Sequence, residues 1–128
     1  MISNADEFAR LCECNDRRVK HDEVSEEILL DVLERYPEWV ICAIGSNYVT
    51  VGILESLAKS PDAVVRWWVA TKRKLSVHLF ELLSNDEDPS VRHRIAYNRK
   101  TPRYILERLA NDEDNLVAKT AQERLEHR

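Results

Sequence analysis

The chain repeats itself, and that periodicity restricts its fold more than any other feature. Beginning at Leu57, Leu83 and Leu109 the sequence reads LAKSPDAVVRWWVATKRKLSVHLFEL, LSNDEDPSVRHRIAYNRKTPRYILER and LANDEDNLVAKTAQERL. Like residues recur 26 positions apart: Leu57, Leu83 and Leu109; Val65, Val91 and Val117; Ala70 and Ala96; Glu55, Glu81 and Glu107. The register runs backward too, with Trp39, Ala43, Ile44, Ile53 and Leu54 standing 26 before Val65, Val69, Ala70, Leu79 and Phe80. With a slip of one or two residues, Ser25 to Leu33 matches half of a still earlier unit. A fixed period of this length marks a stack of supersecondary units, each too small to bury its own apolar face.

Punctuation divides each unit into two helices. Asp88 is placed to cap a helix that opens on Pro89, where a missing N–H and a fixed φ are tolerated. Ser60 with Pro61, and Thr101 with Pro102, read as the same device. Val65, Val69 and Ala70 form one apolar stripe at helical spacing, and Leu79, Phe80 and Leu83 form another. The sequence therefore predicts an all-α fold, a short right-handed α-solenoid of stacked helix pairs. Residues 1–128 make one domain, with 1–24 as a capping helix and linker and 25–125 as the repeats.

Composition agrees with helix. Only two glycines and four prolines interrupt the chain, against 44% apolar and 33% charged residues. No basic segment followed by an apolar run opens the sequence, and no stretch approaches a membrane span, so a cytoplasmic location is expected. Cys12, Cys14 and Cys42 are an odd set without a secretory signal, hence reduced thiols packed in or near a capping helix. Cys12, Cys14 and His21 are poorly spaced for tetrahedral zinc. No HExxH, GxSxG, phosphate-binding glycine loop or CxxC is present, so no catalytic residue, metal, cofactor or small-molecule substrate is expected.

The phrase LLSNDEDPSVRHRIAYNRKTP resembles a HEAT-type repeat, and its spacing and NRKTP turn place it nearest the leucine-rich repeat variant (LRV) branch. The resemblance covers about residues 25–125. It implies that an aspartate before the helix, Asp86 or Asp88, bonds Arg92, and that the last unit, with Ala118 in place of the arginine, is a cap. It also implies that second helices line a concave surface. Some members of the family carry an iron–sulfur cluster, but Cys12 and Cys14 cannot supply four thiolates.

Comparing equivalent positions separates surface from core. Trp67 points away from the buried arc, and its equivalents are Ile41, His93 and Lys119; Trp68 shares a column with Cys42, Arg94 and Thr120. An outward patch of Ile41, Cys42, Trp67 and Trp68 has the composition of a binding hot spot. Alternatively, the N-terminal helix folds over it with Phe8 and Leu11. On the second helices the column Asp31, Glu55, Glu81 and Glu107 is acidic throughout, either a carboxylate ridge or simply solvated helix positions. Lys72, Arg73, Lys74, Arg99 and Lys100 form a basic edge. The turns Asp86–Asp88 and Asp112–Asp114 form an acidic one, and helix dipoles account for part of that polarity.

The functional expectation is a non-enzymatic protein-binding module, of the inhibitor or immunity type found among small bacterial antagonists. It would clasp a basic partner with Ile41, Trp67, Trp68, Glu55, Glu81, Glu107 and Tyr104. A first alternative follows from the resemblance, because HEAT-like folds include DNA-binding glycosylases that use tryptophans and an acid. Residues 59–108 carry eleven bases against six acids, and Arg66, Arg92, Arg94 and Arg103 would join the basic edge on phosphates. The net charge of −4 and the glutamate column oppose it. A second alternative is a homodimeric scaffold joined through the apolar patch.

Overall fold

A computed structural model of the chain describes residues 1–127 and is all-helical, with no strand among the described residues. The chain divides into two compact units, residues 1–54 and residues 55 onward.

The first unit begins with α1 (Ala5–Glu13), capped by Asn4, whose side chain accepts from the Glu7 N–H. Ala5, Phe8, Leu11 and Cys12 give α1 a buried stripe, and it packs on α2 (Arg18–His21) and α3 (Glu26–Arg35). Its end is sharply made. Asn15 adopts φ 54°, the Asn15 N–H donates to the Cys12 carbonyl and the Asp16 N–H to Leu11. These two bonds satisfy the orphan carbonyls of the last turn, and asparagine tolerates the left-handed conformation they require. The expected linker before residue 25 thus contains a second helix. Asp16 starts it by accepting from the Arg18 N–H, and the Arg18 guanidinium on the same carboxylate holds its pKa down, at about 2.

Ser25 caps α3 through the Ile28 N–H. A 3₁₀ turn, Pro37–Trp39, leads into α4 (Val40–Gly45), and α5 (Val51–Leu57) follows. Thr50 takes the capping role there, accepting from the Ile53 N–H while donating to Glu26.

The second unit holds α6 (Ala63–Ala70), α7 (Val77–Ser84), α8 (Pro89–Tyr97), α9 (Arg103–Leu109) and α10 (Asn115–Glu126). Helix α8 packs between α6 and α10, and α7 packs on α9. The buried positions are those of the apolar columns: Val65, Val91 and Val117; Val69, Ile95 and Ala121; Leu79 and Ile105; Phe80 and Leu106; Leu83 and Leu109. Each large aliphatic side chain removed from water in this way stabilises the unit by about 1.5–3 kcal/mol.

Asp62, Asp88 and Asp114 cap α6, α8 and α10, each accepting from the N–H two residues on. This corrects the expected start at Ser60 and Pro61. Ser60 forms the turn before the helix, accepting from the Asp62 N–H, as Asp86 and Asp112 do from Asp88 and Asp114. The aspartate two residues on is the better cap because its charge also meets the helix dipole. Thr101 is a second correction. Its buried hydroxyl donates to the Ile95 carbonyl, and α9 begins at Arg103 behind Pro102 without a side-chain cap.

Two largely buried ion pairs tie α6 and α8 to the turns before α8 and α10. Arg66 donates to both carboxylate oxygens of Asp86, at 2.8 and 3.2 Å, and to the Ser60 carbonyl at 2.7 Å. Arg92 repeats this with Asp112, at 3.0 and 3.2 Å, and the Asp86 carbonyl at 2.6 Å. The expected bond between Arg92 and the carboxylate of Asp86 or Asp88 is therefore corrected. Arg92 takes only a backbone oxygen from its own turn, because the Asp86 carboxylate is already held by Arg66 and Asp88 caps the helix. Asn98 links two turns likewise, donating to the carbonyls of Ala70 and Lys72, both at 2.8 Å.

Candidate functional site

Helix α6 presents Trp67 and Trp68 in succession, so their rings diverge by about 100° around the axis. They meet edge to face, centroids 5.1 Å apart. Trp68 is exposed and Trp67 half-buried. From α8, the guanidinium carbon of Arg94 lies 5.7 Å from the centre of the Trp67 ring and 4.9 Å from that of Tyr97, itself exposed. Cation–π contacts of this kind stabilise by about 0.5–2 kcal/mol each.

Arg94 makes no ion pair or hydrogen bond through its guanidinium among the described residues, and its Nε is enclosed without an acceptor. Next to it, His93 Nε2 lies 3.0 Å from the Thr120 hydroxyl. Trp67 also lines a cavity of about 240 Å³ with Pro89, Ser90, His93, Asp114 and Leu116. That is below the roughly 300–1,000 Å³ of small-molecule pockets, and suits a single bulky side chain.

A second cavity, about 360 Å³, is lined by Asp86, Arg92, Arg108, Asp112 and neighbours. Most of its charges are engaged: Asp86 and Asp112 hold Arg66 and Arg92, and Arg108 donates to the Ser84 hydroxyl.

The glutamate column is not a bare ridge in the second unit. Glu81 accepts from the Tyr104 hydroxyl at 2.7 Å with Arg108 3.9 Å away, and Glu107 pairs with Arg103 at 3.1 Å. The Glu81 bond raises the Tyr104 pKa, keeping that phenol a donor. Arg108 and Arg103 thus offset part of the charge of Glu81 and Glu107. Glu55 is half-buried near the start of this unit.

Of the arginines expected on phosphates, two are engaged inside the fold and two lie at the surface. Arg66 and Arg92 have side chains only 10% and 11% exposed, locked on aspartates; Arg94 lies over aromatic rings and Arg103 pairs with Glu107. Arg73, Lys74, Arg99 and Lys100 are exposed in the turns after α6 and α8, and Lys72 is half-buried. The acidic edge shrinks likewise, since the side chains of Asp86 and Asp112 are largely covered while Glu87 and Glu113 face solvent.

In the first unit, Ile41 is exposed on α4 and Cys42 is half-buried. Cys12 is buried and Cys14 exposed; burial and the adjacent Cys42 thiol push the Cys12 thiol well above its ordinary pKa. Phe8 and Leu11 are buried side chains of α1, whose packing partners are α2 and α3. No group of three potential metal-ligating side chains gathers among the described residues. None of the described helices is long and apolar enough to cross a membrane.

Tyr97 was not among the sequence candidates. The available signal was its position three residues after Arg94 on one helix, with Arg94 itself 26 after Trp68. No family model, curated protein or solved structure matches this chain.

Proposed function

We propose that the chain is a short right-handed α-solenoid of HEAT-like, LRV-related repeats that binds a protein partner and carries out no chemistry of its own. It works in the cytoplasm as a stoichiometric binder of the inhibitor or immunity kind. The observation that carries this reading is the Trp67, Trp68, Arg94 and Tyr97 cluster, on a row where the equivalent positions Lys119 and Thr120 are polar. Tryptophan, tyrosine and arginine are the residues that concentrate binding energy at protein interfaces. The stacking of α6, α8 and α10, and of α7 on α9, supports the solenoid reading, as does the recurrence of the capping aspartates and arginine pairs.

Affinity capture from the native cell tests it, with wild type, Trp68→Ser and Glu87→Ala as baits. Trp68 is 37% exposed and Glu87, 4.0 Å from Arg66, lies outside the cluster; circular dichroism on both variants separates lost binding from lost fold. The expected result is a protein retained by wild type and Glu87→Ala and lost by Trp68→Ser. Capture unaffected by Trp68→Ser, or of nucleic acid alone, contradicts the proposal.

A further inference from the structure

We infer that Arg94 receives a carboxylate of the partner, and that the occupant of this surface is an acidic segment of a protein bearing a bulky apolar side chain. The inference rests on the protein-binding reading above and specifies its chemistry.

Arg66 and Arg92 show how this fold ordinarily satisfies an arginine, with a two-pronged aspartate and a carbonyl for each. Arg94 has neither. The Trp67 and Tyr97 rings hold its guanidinium, and its Nε is enclosed without an acceptor. Among the described residues its two terminal nitrogens make no hydrogen bond, and Nε alone of the three is enclosed without a partner. A planar fork held by aromatic rings has already lost much of its rotational freedom, so little ordering remains when a carboxylate binds it bidentately.

Trp67 joins this fork to the neighbouring cavity. That cavity, walled by Pro89, Ser90, His93, Asp114 and Leu116 beside Trp67, has room for one side chain of leucine or phenylalanine size, its apolar contacts being Trp67, Pro89 and Leu116. A carboxylate and an apolar group within a few residues of one another would satisfy both features. A nucleic acid fits less well. Asp114 stands in the cavity wall, and the chain carries a net charge of −4. One carboxylate seated on Arg94 meets that repulsion once, whereas a run of phosphates meets it at every nucleotide.

Fluorescence anisotropy with short labelled peptides decides the matter. One peptide is built from Glu, Leu and Phe, one from Gln, Leu and Phe, one from Lys, Leu and Phe, and oligo-dT is the fourth probe. The acidic peptide is expected to bind, more weakly as salt rises, and to lose about tenfold or more in affinity in Arg94→Gln. Arg94→Lys, which keeps the charge without the fork, should fall between, and circular dichroism should show both variants folded. Equal binding of the acidic peptide to Arg94→Gln overturns the inference. Trp68-dependent binding of the neutral or basic peptide overturns it too, but leaves the protein-binding surface standing. Binding of oligo-dT alone, or of no probe, overturns both.

Discussion

Arg92 and Asp112 illustrate how much of this protein depends on single side chains. Their side chains are only 11% and 10% exposed, so removing one partner strands the other charge away from water. Asp112→Ala is expected to lower stability by about 3–5 kcal/mol in urea unfolding, whereas Arg92→Met with Asp112→Leu should recover most of that loss. Equal losses in the single and double variants would show that the pair contributes by its own attraction. Asn15 is the second such position. At φ 54°, Asn15→Val should cost about 1–2 kcal/mol while Asn15→Gly stays neutral or gains slightly, both measured by thermal unfolding. The sequence shows that Asp86, Arg92 and Asp112 recur in register, but not which aspartate an arginine reaches. That depends on the separation of stacked helices, a property of three dimensions.

Among the elements, the periodic ones were the legible ones. The columns Val65, Val91, Val117 and Leu79, Ile105 identify buried faces because a core position must be apolar in every repeat. The start of α8 at Asp88 was legible, whereas that of α6 lies at Asp62 and not at Ser60. Helix starts were misread at Ser60 and Thr101, because serine and threonine hydroxyls also close turns and helix ends. Asp88→Ala should therefore cost about 1 kcal/mol and raise amide exchange at the start of α8, whereas Ser76→Ala does the same to α7. A loss confined to the opposite helix in either variant would contradict the capping assignment. Helix α2 and the 3₁₀ turn have no periodic counterpart; the Asp16 and Arg18 contacts that start α2 are local geometry that no repeat register reveals.

For the whole molecule, charge counted along the chain gave a misleading picture of its surfaces. The basic excess over residues 59–108 includes Arg66 and Arg92, which the fold buries against aspartates, and Arg103, which it spends on Glu107. What remains distinctive is the aromatic cluster. Trp67 and Trp68 stand out as departures from their columns, but the contact of Arg94 with the Trp67 and Tyr97 rings leaves no mark in a list of charges. The central claim is that a protein partner docks on this cluster. Photo-crosslinking in the native cell from a benzoylphenylalanine placed at position 68, with position 87 as control, tests it most directly. The account predicts a protein adduct from position 68, absent from position 87 and lost when Arg94→Gln is added. No adduct at position 68, or an adduct to nucleic acid, would contradict it.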